Sequence, residues 1–351
     1  MIWLTWRQFR VQAVTVFALL AVLAALLVLA GRPLLGSAGP MTTADDTLYD
    51  ACLAAGYGLP ALIGVFWGAP LVTRELETGT HRLVWNQGVT RTRWLAVKLA
   101  VTGLAAVAAS GLLSLAVTWW AGPVDAAGRP AVILVDLTAP GAASDAASFA
   151  ARLSPLVFGA RGVVPVGYAA FAFVLGVAAG ILLRRTVPAM AATLVVYAAV
   201  QAALPFAVRP YVLPAAQETV TITVANVSKL GVDDSGDLAD LAVAGPRGAW
   251  VLANETLDAS GHVTRPPSWL AGCMFQPQRE LTIRPGAEPA FHPTVREECF
   301  TKLAAQGYRQ QVTYQPAGRF WALQWIETAI FLLLTALLTW LCLRWTRHRL
   351  T

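Results

Sequence analysis

The chain has 351 residues, 56% of them hydrophobic and only 13% charged, with a mean hydropathy of +0.57. A soluble domain carries roughly a quarter charged residues, so these values exclude a soluble enzyme or binding module and indicate a polytopic membrane protein. The net charge of +6 is not a nucleic-acid signature, because the basic residues are dispersed and sort by membrane side.

Residues 1–10, MIWLTWRQFR, precede the first apolar run. Ile2, Trp6 and Phe9 fall at helical spacing, with Arg7, Gln8 and Arg10 on other faces. This predicts an interfacial helix carrying Trp3, Trp6, Arg7 and Arg10, with rings at headgroup level and cations toward water. Ordinary flanking of a span is the alternative. Residues 11–30 form about one full span with no small-x-small cleavage site after it, which predicts a retained first helix rather than a signal peptide.

Span one is expected over residues 12–30. A loop with Pro33, Pro40, Asp45, Asp46 and Asp50 leads to span two over 51–72. The polar segment 73–93, TRELETGTHRLVWNQGVTRTR, comes next. Span three is expected over 94–121, followed by an irregular loop with Pro123, Pro130, Pro140 and Pro155. Span four covers 163–183 and ends at Arg184-Arg185. Span five covers 187–208, with Pro188 and Pro205 near its ends, and a first helical turn tolerates proline. Residues 209–318 lack any run long enough to span. Strict alternation over 220–227 predicts a half-buried strand. Val295, Cys299 and Leu303 form one stripe of a helix over 294–306 that Gly307 stops. Span six covers 320–343 and is closed by Arg344, Arg347, His348 and Arg349.

Charge orients these spans. Arg7 and Arg10, Arg74, Arg82, Arg91 and Arg93, Arg184 and Arg185, and Arg344, Arg347 and Arg349 fall on one side. The two shorter loops opposite hold Arg32, Arg129, Arg152 and Arg161. Short basic loops stay cytoplasmic, while long domains cross regardless of charge. The expected fold is therefore an all-α polytopic protein of six spans with both termini cytoplasmic. Residues 1–208 supply helices one to five, 209–318 an α+β extracytoplasmic insertion, and 319–351 the sixth helix and tail.

No catalytic constellation is legible. A phosphate-cradling GxxxxGK[ST] needs Gly-Lys, which is absent, as are HExxH and GxSxG. No CxxC occurs and His81, His262, His292 and His348 are scattered, so no metal site is expected. Cys52 and Cys342 read as apolar fillers in spans. Cys273 and Cys299, the two cysteines outside spans, are expected to form a disulfide. Glu327 in span six is a functional candidate by default, because an ionisable group at depth is costly; the preferred reading is an interfacial Glu bonded to Gln324 or Arg319. Gly64-x-x-x-Gly68 and Gly176-x-x-x-Gly180 allow close helix approach, although chance accounts better for at least one of them. Within 73–93, the sequence pairs Arg74 with Glu75 and Glu77 and breaks at Gly79. This presents either a part-apolar tip to a partner or a solvated loop that only sets topology.

The run Arg74-Glu75-Leu76-Glu77-x-Gly79-Thr80 resembles the coupling region of ABC-2-type transporter permeases. So do Val89-Thr90-Arg91-Thr92-Arg93-Trp94 leading to Lys98, the opening Trp3-x-x-Trp6-Arg7-Gln8-x-Arg10, and Tyr314-Gln315-Pro316 through Arg319, Phe320, Trp321, Gln324 and Glu327, the last as in actinobacterial members. The resemblance implies two permeases, identical or homologous, above two cytoplasmic ATPase subunits that bind ATP and Mg, so this chain needs no cofactor of its own. It implies a plasma-membrane location and gives the ATPase-coupling role to Arg74, Glu75, Leu76, Glu77, Gly79, Thr80 and His81. The expected function is export of a lipophilic or amphipathic compound: a drug, natural product, lipid or peptide. The alternatives are a non-transporting subunit that passes ATPase motion to the insertion, and an ion-coupled carrier working through Glu327.

Overall fold

The computed structural model describes residues 2–36, 43–79, 90–127, 151–232, 238–274 and 297–349. They divide into a helical unit, made of the residues up to Ala127, Arg152–Leu213 and Gly318–Thr351, and a mixed unit that includes Pro214–Ala317.

Among the described residues, six helices are long and apolar enough to cross a bilayer: Phe9–Ala30, Thr47–Thr78, Arg91–Gly122, Val164–Leu183, Thr186–Val212 and Ala317–Arg347. They are spans one to six. In a bilayer a helix satisfies every backbone donor and acceptor within one segment, which is why these Ala-, Leu- and Val-rich runs take that form. Span four is central. It packs against spans two, three, five and six and buries Tyr168, Phe173, Val177 and Ile181. Span one lies against span three and leaves Val14, Leu19, Val22 and Leu29 exposed, an apolar surface of the kind lipid covers.

Three helices run further than the sequence predicts. Span one is part of a single helix, Ile2–Gly36, so the expected interfacial helix is its first turns; no Pro or Gly interrupts 2–30. Span two continues through residues 73–78 and ends where Gly79 turns left-handed, φ 72°. Span five continues to Val212, so Arg209 is helical and Pro205 lies inside the helix rather than near its end. Proline cannot donate to the helical ladder. The helix widens into a π turn at Gly64–Gly68 before Pro70 and at Leu204–Val208 around Pro205, whereas Pro60 sits within regular α-helix. In the first, Ala69 N donates to Gly64 O at 3.0 Å, five residues back, and the ladder resumes.

Both glycine pairs belong to one interface, against the expectation that chance explains one of them. A Cβ on Gly64 would meet Ala172 O at 2.7 Å, one on Gly68 would meet Phe173 O at 2.3 Å, one on Gly176 would meet Gly64 O at 2.2 Å, and one on Gly180 would meet Ala69 O at 2.8 Å. Spans two and four therefore touch backbone to backbone. Arg184, at φ 53°, and Arg185 alone join spans four and five.

In the mixed unit, strands β1 (Ala216–Thr221), β2 (Val227–Val232), β3 (Leu238–Val243), β4 (Trp250–Leu257) and β5 (Arg309–Gln315) form an antiparallel sheet of order β1-β5-β4 and a β2–β3 hairpin. The predicted strand over 220–227 is split by a turn: Asn226 Oδ1 accepts from Thr223 N and Asn226 Nδ2 donates to Thr221 O, both at 2.8 Å. Buried Gln310 ties hairpin to sheet, donating to Leu241 O at 2.8 Å and to Asn254 Oδ1 at 2.7 Å. The helix Glu297–Ala305 packs Cys299, Phe300 and Leu303 into the core with Ile222, Leu241 and Val312, and Gly307, φ 84°, lies just beyond it. Cys299 is bonded to Cys273, with Cα atoms 6.1 Å apart.

Candidate functional site

Two polar clusters lie at opposite ends of the helical unit. The first surrounds the last turns of span two. Lys98 of span three is buried and donates to Glu75 Oε1 at 2.5 Å and to Leu71 O at 3.3 Å, with its ammonium 4.8 Å from the Trp94 ring centroid. Glu77 reaches span five: Oε1 accepts from Thr186 N at 2.7 Å and Oε2 accepts from Thr186 Oγ1 at 2.9 Å. That carboxylate satisfies an N–H at the helix start, where negative charge is favoured. Thr186 Oγ1 also lies 2.9 Å from Thr73 Oγ1. The carboxylates expected to pair with Arg74 thus bind spans three and five, because a helix end inside a bundle finds its neighbours before its own exposed cation. Arg74, Glu77 and Thr78 are exposed, whereas Leu76 packs on the core. Thr80 and His81 lie outside the described residues.

The second cluster centres on Glu327. Arg209 Nε donates to its Oε2 at 3.0 Å and Arg209 Nη2 to its Oε1 at 3.1 Å, and Tyr168 Oη donates to Oε1. Arg209, Tyr168 and Glu327 are 1%, 1% and 5% exposed, and the guanidinium lies 4.2 Å from the Phe158 ring centroid. The sequence pairs Glu327 with Gln324 or Arg319, whereas Arg209 and Tyr168 hold both of its oxygens; reading residues 209–318 as insertion hid Arg209. Gln324 instead binds the chain entering span four. Its Oε1 accepts from Val163 N and Val164 N at 2.8 and 2.9 Å, and its Nε2 donates to Phe158 O and Arg161 O at 3.0 Å each.

At the N-terminus Trp3 is 66% and Trp6 48% exposed. Arg7 lies over Trp3, 5.4 Å from the ring centroid, and Arg10 is exposed. Phe9, expected among the interfacial rings, is buried edge-on against Trp67 with centroids 4.6 Å apart. Cys52 and Cys342 are free and buried.

Six apolar helices among the described residues, with span four packed against four of the others, define a polytopic helical membrane protein. The model of the ABC-2 membrane transporter related family matches residues 17–209, more than half of the chain. The chain belongs to that family, and is a membrane permease of an ABC transporter. No curated protein and no solved structure matches it.

Proposed function

We propose that this permease exports a lipophilic or amphipathic compound, driven by ATP that a separate cytoplasmic ATPase hydrolyses. The observation that carries the reading is the double tie at the end of span two: Glu75 to Lys98 and Glu77 to Thr186. A push on the exposed face of residues 74–78 would reach spans three and five together. In this reading both termini are cytoplasmic, Arg74, Glu77 and Thr78, with Thr80 and His81 beyond them, meet the ATPase, and Glu75 works inward. A lipophilic or amphipathic cargo would suit a path between two permeases if exposed apolar side chains of span five such as Val187, Leu194, Val195 and Phe206 lined it.

The two roles separate by mutation in membrane vesicles holding the permease and its ATPase. Arg74→Glu should lose ATPase capture. Glu75→Gln should retain capture but lose the link between ATP hydrolysis and flux of an amphipathic dye. Normal capture and normal flux in both proteins would overturn the assignment.

A second reading has its own support. Arg209 and Glu327 lie on the two spans that flank residues 214–317 in the chain, and their ion pair clamps those spans. A subunit that transmits ATPase motion to that unit, without moving cargo, would need such a clamp. Deleting residues 214–317 distinguishes the two: an exporter retains some flux, and a transmission device loses all response.

A further inference from the structure

Among the described residues of the helical unit, one heavily stitched segment is not a span. Residues 153–163 enter span four as a short irregular turn around the single helical turn Pro155–Phe158. Leu153, Val157, Phe158, Ala160 and Arg161 are all buried, although the sequence reads this stretch as the end of a loop.

Its backbone is held by side chains from four spans. Pro155 O accepts from Tyr57 Oη of span two at 3.0 Å and from Arg209 Nη1 of span five at 3.2 Å. Gly162 O accepts from Ser114 Oγ of span three at 2.6 Å, and Gly162 N donates to Thr118 Oγ1 of the same span at 3.1 Å. Gln324 of span six makes the four bonds given above. Its amide gives three of these four bonds to residues 153–163 and the fourth to Val164, where span four begins, and it is fully buried. Gly162 sits at φ 78°, and a Cβ there would meet Gln324 Oε1 at 2.6 Å, so glycine is required on two counts.

Irregular backbone at the depth of a bilayer is tolerated only where protein satisfies it. Here spans two, three, five and six each supply part of that satisfaction. They cannot separate at this end of the bundle without releasing the segment. Closure is also incomplete: Ser154 Oγ is buried without a hydrogen-bond partner among the described residues, a cost of the closed arrangement that contact with water would remove.

We infer that residues 153–163 are a plug that closes this end of the bundle and is latched by Gln324, with Tyr57 and Arg209 holding its other edge at Pro155. The inference deepens the export reading and rests on it for the step that opens the plug. The latch is side chain to backbone throughout, so water can replace each bond when the spans part. The backbone-to-backbone contact of spans two and four offers no such exchange, and those two spans move as one body.

The test uses the full-length protein in membrane vesicles with Ala160→Cys. Ala160 is buried, its Cβ lying against Gly56. Labelling by a membrane-impermeant maleimide is followed residue by residue by mass spectrometry. The native buried thiols of Cys52 and Cys342 report general loss of the fold. The thiol introduced by Ala160→Cys should react slowly at rest, several-fold faster when Gln324→Ala is added, and faster again during ATP turnover with the ATPase present. Cys52 and Cys342 should stay unreactive throughout. Gln324→Glu, which keeps the acceptor and loses both donors, should fall between the wild type and Gln324→Ala. Equal labelling of the introduced thiol with and without Gln324 would overturn the latch, as would acceleration that Cys52 and Cys342 share. Acceleration by Gln324→Ala but not by ATP would uphold the plug and count against the export reading alone.

Discussion

Arg209 on span five and Glu327 on span six form an ion pair closed to solvent at both ends, with side chains 1% and 6% exposed and Nε 3.0 Å from Oε2. Two parallel N–H···O bonds give it the fork geometry in which such pairs are strongest. Removing one partner leaves a buried charge alone, at a cost of about 3–5 kcal/mol, whereas replacing both with apolar groups of similar volume is often close to neutral. Glu327→Leu should therefore lower the unfolding temperature in detergent sharply, and Arg209→Met with Glu327→Leu should recover most of the loss. A double variant whose loss equals the sum of the single losses would show that the two charges are not coupled.

The contact of spans two and four predicts a ranking of glycine substitutions. Gly68→Ala and Gly176→Ala drive a methyl into backbone at 2.3 and 2.2 Å, and each should cost about 1–3 kcal/mol, the usual scale of overpacking. Gly58→Ala meets nothing within 4 Å and should be neutral or stabilise its helix by roughly 0.5–1 kcal/mol. Yield of monodisperse protein after heating gives the order, and an order with Gly58→Ala as the worst of the three defeats the account.

Exchanging the charges between spans two and three gives a reciprocal test. Glu75→Lys sets two ammonium groups against each other where Lys98 is now 5% exposed, and should reduce both stability and ATP-linked flux. Adding Lys98→Glu restores opposite charges and should recover both. Recovery of stability without flux would mean that the pair holds the bundle but carries no motion.

In the mixed unit the Cys273–Cys299 bond closes a loop of sequence separation 26. Cross-links of this kind contribute about 2–4 kcal/mol. Cys273→Ser should expose the unit to limited proteolysis while spans one to six stay intact. Unchanged cleavage of residues 214–317 would show that the sheet and its core suffice alone.

The turn after β4 predicts a pH effect. Asp258 Oδ1 accepts from Ser260 Oγ at 2.6 Å, from His262 N at 3.0 Å and from Ser260 N at 2.9 Å. These bonds hold its carboxyl below the usual range, the Ser260 hydroxyl first among them. A depressed folded pKa means that the stabilisation is complete above the unfolded value of about 3.9 and disappears as pH falls through the lower folded value. Amide exchange at 258–263 should be slower in the wild type than in Asp258→Asn near pH 5, and the difference should close in stronger acid. A difference that persists there would assign the protection to the backbone turn instead.

Much of the bundle was legible because hydropathy reports it directly. The six runs, the break at Gly79 within residues 73–93 and Gly307 beyond the helix in the mixed unit all follow from local chemistry. Helix continuation past a polar boundary was not legible. Residues 73–78 and 209–212 carry charge, which reads as the end of a span, yet Lys98, Thr186 and Glu327 absorb those charges from elements distant in sequence. The same limit hid the plug. Gln324 lies more than 160 residues from the carbonyls it binds, and no local pattern marks an amide as a latch. The glycine pairs were visible as motifs, but their mutual packing depends on the register of two helices a hundred residues apart.

The joint of Arg184 and Arg185 constrains biogenesis. Two residues leave little slack for span four to enter the bilayer and wait for span five, so the pair is expected to insert as one hairpin. An epitope tag spliced into this joint would supply that slack and let the two spans insert separately.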